Sequence, residues 1–104
     1  MNIKDAKKIL QDIEEVCKSN NDDPLVVIVN GDKLIPVKRV IAVDNTINLC
    51  STVGDDDDSV TLSNIMTGFE CIEFDYIKID FNLDIKSIKI DLIDNFKFVV
   101  MEVE

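Results

Sequence analysis

The side chains in this sequence able to do chemistry are carboxylates and thiols; histidine is absent. Four aspartates stand in a row, Asp55, Asp56, Asp57 and Asp58, and Glu70, Glu73 and Asp75 follow soon after. Contiguous aspartates do not make a calcium loop. Such a loop needs alternate oxygen ligands that converge, a glycine at the bend and a glutamate at its twelfth position, and Met66 and Thr67 stand twelve positions along from Asp55 and Asp56. Paired carboxylates catalyse only where a cleft sets their pKa values apart, and a run of charged side chains in a loop offers no such cleft. A Ser-His-Asp set is impossible without histidine. Cys17, Cys50 and Cys71 have no imidazole to activate them. Three widely spaced cysteines with no Cys-x-x-Cys fit neither a zinc knuckle nor a disulfide framework, and read as buried reduced thiols. No glycine-rich phosphate loop is present. The sequence therefore predicts a protein that is not an enzyme, with no cofactor and no metal site.

Binding remains. The seven carboxylates fall within 21 residues, and together they predict a single-sign surface for a basic partner. The whole chain has 21 acidic and 11 basic residues, a formal net charge of -10. Residues 1–54 carry a net of -1 and residues 55–104 a net of -9. A field of that sign repels phosphate backbones, which disfavours direct nucleic-acid binding, and speeds encounter with basic proteins. A solvated loop kept acidic for solubility fits the same residues. Lys38-Arg39, beside Lys33, is too small a basic cluster for a nucleic-acid footprint.

The elements that must position these residues can be read from periodicity. Apolar residues from Ile3 to Cys17 recur every three or four positions, predicting an amphipathic helix over 2–18 with Asn2 as N-cap. "SNNDDP" ends it. "LVVIV" (25–29) reads as a covered central strand, and Asn30-Gly31 as a hairpin turn with a short return leg before Pro36. Strands follow at 37–43 and 46–50, separated by an Asp44-Asn45 turn. Residues 51–59 form the acidic loop, and 60–68 read as a short helix stopped by Gly68. The remainder, 69–103, is β-rich, with strands at 69–74, 77–81, 88–92 and 96–103 and an Asp94-Asn95 turn. The phase change in "NLDIKS" calls for a turn or a bulge. Lys78 with Asp80, and Lys89 with Asp91, read as cross-strand pairing on a solvated face. Chain length and this order predict a single α+β domain over 1–104: an N-terminal amphipathic helix packed on a mostly antiparallel β-sheet. No leader and no membrane-length apolar run appear, so the expectation is a soluble cytoplasmic protein with no membrane partner.

"MNIKDAKKILQDIEEV", "NNDDP" and "LVVIVNGDKLIPVKRVIAVDNTINL" together resemble small proteins encoded by phages and mobile elements of low-GC Gram-positive bacteria. The resemblance covers roughly the first half and rests on turn and strand patterns. Small acidic phage proteins of this size include anti-CRISPR proteins, several of which are similar to DNA in charge and occupy the nucleic-acid-binding surface of a CRISPR effector. The resemblance implies an inhibitor of a basic host nucleic-acid-binding protein, such as a CRISPR effector nuclease, and assigns no residue a role. Two other readings fit the chain. One is an interaction module that works by strand addition or homodimerisation. The other is a small-molecule or ion-binding sensor.

Overall fold

The computed structural model describes residues 1–51, 60–69 and 73–103. The first helix, α1, spans Ile3–Ser19 and buries Ile3, Ala6, Leu10 and Cys17 on one stripe. The Asn2 side chain accepts a hydrogen bond from the Lys4 amide at 2.8 Å, the expected N-cap. At the other end, the amide of Asp22 reaches the Cys17 carbonyl at 2.8 Å and that of Asn21 reaches Lys18 at 3.2 Å. Asn21 has φ 56°, so it fills the left-handed position of a Schellman cap that glycine usually takes. The helix therefore ends before Pro24 is reached.

Among the described residues, seven strands follow, with a second helix among them. They are β1 (Leu25–Asn30), β2 (Lys33–Pro36), β3 (Arg39–Val43), β4 (Thr46–Cys50), then helix α2 (Leu62–Phe69), then β5 (Tyr76–Ile79), β6 (Leu83–Ile93) and β7 (Phe96–Val103). Their order across the sheet is β2-β1-β7-β6-β5-β4-β3. Four neighbouring pairs are antiparallel, while β1–β7 and β4–β5 are parallel. The architecture is α+β, as the sequence predicts.

Turn chemistry sets the hairpins. Asp44-Asn45 and Asp94-Asn95 are two-residue loops with all four residues at positive φ, the type I′ pattern that suits twisted hairpins. The first hairpin differs from expectation. Asn30 pairs with Lys33, so the loop residues are Gly31-Asp32, and Gly31 alone takes positive φ (62°), as a type II′ turn requires. The phase change at 82–87 is resolved by both devices: a turn over 80–82, and a register shift between Ile85 and Ser87.

The sheet curls. Strands β2 and β3 lie at opposite ends of its order, yet only Val37 and Lys38 separate them in the chain. The Val37 amide bonds the Val26 carbonyl at 3.2 Å, and the Lys38 amide bonds Cys50 at 2.8 Å, which ties the two ends together. Both helices place their apolar side chains in one core cluster with the concave face, among them Leu10, Ile65, Ile77 and Met101. Val99 and Met101 alternate into this core while Val100, also buried, stands outside it. The run that is apolar on both faces is thus an internal strand, between β1 and β6.

Two expectations for the middle of the chain need correction. Helix α2 runs through Gly68 to Phe69, because Leu62, Ile65 and Phe69 share a stripe and all three are buried. Of the strand expected over 69–74, none of the described residues is in a strand: Phe69 closes the helix, and Glu73 and Phe74 lie outside any strand. The start of α2 is fully provided for. Thr61 and Asn64 bond reciprocally, side chain to amide, in a capping-box arrangement. The Leu62 amide bonds the Pro24 carbonyl at 2.9 Å, and the Ser63 amide bonds the Asp23 carboxylate at 2.9 Å.

Candidate functional site

Of the seven carboxylates expected to form one surface, Asp55, Asp56, Asp57, Asp58 and Glu70 lie outside the described residues, as does Cys71. Glu73 and Asp75 are exposed, in the segment that leads into β5. Asp75 is fixed through its backbone: its amide bonds the Asn45 carbonyl at 2.8 Å and its carbonyl accepts from the Ile3 amide at 3.1 Å. This brings the start of α1 alongside. Asn2, Ile3, Lys4, Lys7, Glu73, Phe74 and Asp75 line one open groove. Glu73 and Asp75 thus share a groove with two lysines that are about 70 positions away in sequence, and this end of the molecule carries both signs of charge.

The segment that carries the four aspartates is held at both ends. The Ser51 amide bonds Asp80 at 2.8 Å, and the Ser51 hydroxyl donates to the same carboxylate. The Val60 amide bonds the Val37 carbonyl at 2.8 Å, and the Val60 carbonyl accepts from Val26 at 2.9 Å. Lys38 bonds the carbonyl of Cys50, so both attachment points adjoin the Val37-Lys38 link. Six of the 21 acidic residues (Asp55–Asp58, Glu70 and Glu104) lie outside the described residues. The described part therefore holds 15 acidic against 11 basic residues, a net of -4. Several of its lysines are engaged locally. Lys89 meets Glu102 at 3.0 Å, Lys97 meets Asp22 at 3.0 Å, and Lys78 sits over the Tyr76 ring. Half of the net charge of -10 thus comes from Asp55–Asp58 and Glu70.

The thiols are placed against reactivity. Cys17 and Cys50 are buried and unpaired by disulfide. Burial pushes both thiols above their ordinary pKa, and Asp22 beside Cys17 and Asp80 beside Cys50 push further in the same direction. Both stay protonated and poor nucleophiles near neutral pH. Among the described residues, no group of three histidine, cysteine or acidic side chains is arranged to hold a metal ion. No described helix is long and apolar enough to cross a membrane.

The sequence reading missed a surface at the far end of the β6–β7 hairpin. Val16 (58% exposed), Ile90 (37%) and Leu92 (62%) line a groove with Asp91 and Lys97, enclosing about 320 Å³. Ile90 and Leu92 stand in the same alternation as Ile88, which is buried, so they continue the core face past the cover of α1. A clue was present in the sequence: "IKIDL" alternates cleanly over 88–92, and such a strand should bury every second residue. Compared with protein-family models, curated proteins and solved structures, the chain matches none.

Proposed function

We propose that this protein acts by binding and not by catalysis, and that its partner is a basic host protein whose surface is built to hold nucleic acid. The resemblance of its first half to small phage proteins narrows that class to a CRISPR effector, which the protein would inhibit. The observation that carries the reading is the placing of charge. Four contiguous aspartates sit in a segment whose two ends are anchored on the sheet, and the described remainder is only mildly acidic. Such a segment offers four negative charges, adjacent in sequence, to a groove that accepts phosphates, with little ordering needed at its ends.

The test uses the full chain and a variant with Asp55, Asp56, Asp57 and Asp58 all changed to serine, each titrated against a purified CRISPR effector at two salt concentrations. Tight binding by the wild type, weakened by salt and by the variant, supports the reading. Equal binding by both proteins, indifferent to salt, refutes the electrostatic mechanism. No binding to effectors that carry exposed nucleic-acid grooves refutes the proposed target.

A further inference from the structure

The sheet has an opening in its middle. Strand β5 pairs with β6 only at Lys78↔Asp84 and Ile79↔Leu83. Beyond that point the two strands part. Met1 and Asn2 take the place beside β5 instead, with the Ile77 amide bonded to the Met1 carbonyl at 3.1 Å. From Ser87 to Ile93, β6 is paired on its β7 side, Lys86 being skipped at the register shift, and from Lys86 to Ile93 it has no strand partner on the other side among the described residues. That leaves an edge of eight residues without a strand partner, about 26 Å at 3.3 Å per residue, on which the Leu92 amide is bonded to the Asp91 carboxylate at 2.8 Å. The end of α1 comes close to one face of this strand, where Val16 lines a groove with Ile90 and Leu92, but it leaves their side chains exposed. Asp22, just past the helix, is ion-paired to Lys97 on β7, and the side chains from Lys89 to Leu92 are all exposed. An unpaired strand edge flanked by exposed apolar side chains is a template for another strand.

The order of residues along this edge says which strand fits. Antiparallel pairing about a two-fold axis at Ile90 sets Lys89 opposite Asp91, Asp91 opposite Lys89, Ile88 opposite Leu92 and Ile90 opposite itself. From Ile88 to Leu92, every cross-strand pair is then either opposite in charge or apolar on both sides, while Ser87 falls opposite Ile93. A slip by one residue sets apolar against charged side chains. Moving the axis by one position, to Lys89 or Asp91, brings like charges face to face. One register alone is favourable, and it is self-complementary. The segment is also free of the repulsion that a net charge of -10 would impose elsewhere, since Lys86, Lys89 and Asp91 leave it at +1. From the open edge, the exposed Ile90 and Leu92, and this charge order, we propose that a second copy of the chain pairs along β6, antiparallel about Ile90, joining the two β2-β1-β7-β6 sheets into one continuous eight-stranded sheet. Ion pairing of Lys89 with its own Glu102 persists beside the new contact, because that pair lies on the β7 side.

The proposal is independent of the function proposed above, and its test needs no partner. Sedimentation of the full chain is followed from low micromolar to several hundred micromolar. The wild type is expected to pass from monomer to dimer over that range. Lys89→Asp and Asp91→Lys each turn two attractive cross-strand pairs repulsive, and each should raise the dimer dissociation constant about tenfold or more. An equimolar mixture of the two variants restores opposite charges at both positions and should dimerise again, as a heterodimer. That rescue separates pairing from any effect of Lys89→Asp on Glu102, which mixing leaves unrepaired. A wild type that stays monomeric overturns the proposal. So does a dimer that either substitution leaves unchanged, or a mixture that fails to associate.

Discussion

Replacing Asp23 by alanine tests how the two helices are joined. Asp23 lies between the end of α1 and β1, yet its carboxylate takes the Ser63 amide at 2.9 Å and the Ser63 hydroxyl at 2.5 Å. It therefore caps the first turn of α2 from 40 residues away. Loss of a capping carboxylate costs about 0.5–2 kcal/mol, and the exposure of these bonds places the expected value near 1 kcal/mol. In a domain of this size that lowers Tm by about 4–8 °C. The pH dependence follows from the same bonds. Partial burial pushes the Asp23 carboxyl up, but the hydrogen bonds from Ser63 and Thr61 outweigh it and hold the pKa below the usual carboxylate value. A carboxyl depressed by folding stabilises the protein fully above its unfolded pKa, and that contribution is lost as pH falls through the folded value. Thermal melts of wild type and Asp23→Ala should therefore differ at neutral pH and converge as the pH drops below the carboxylate range. The reasoning is refuted by variant and wild-type Tm values that agree at neutral pH. A gap that persists unchanged into acid would equally refute the charged part of the argument.

Two further substitutions probe the frame. Leu10 is fully buried where α1 meets the sheet, and Leu10→Ala should cost about 2–5 kcal/mol by urea unfolding, since a cavity there is walled by strands that cannot collapse freely. Asn95 has φ 71° in the β6–β7 turn, so Asn95→Val should destabilise by about 1–2 kcal/mol while Asn95→Gly is tolerated; equal loss from both would show that the Asn95 side chain, not its backbone, holds the turn.

Much of the local structure could be read from the chain. The stripe from Ile3 to Cys17 requires a helix wherever it is placed, and Asn2 caps it. Strand β4 forms over 46–50 as expected, bounded by Asp44-Asn45, because two residues that accept positive φ stand where a twisted hairpin needs them. The irregularity in 82–87 was also legible, since alternation that changes phase cannot continue in an unbroken strand. Gly68 misled because glycine marks a helix end only when nothing beyond it needs burying, and Phe69 does. The acidic excess was legible as composition only. The groove that sets Glu73 and Asp75 beside Lys4 and Lys7 depends on where Asp75 meets Ile3, and no spacing along the chain encodes that.

By itself, then, the sequence determined the elements that rest on short-range physics: helical periodicity, caps, turn residues and strand alternation, each settled within a few residues. Only the tertiary structure decided the parallel pairing of β1 with β7, the tie through Val37 and Lys38 that curls the sheet, and the parting of β5 from β6 that leaves an edge open. These contacts join residues far apart in the chain. Their choice depends on how the whole set of apolar faces closes over one core, and no local pattern specifies that choice.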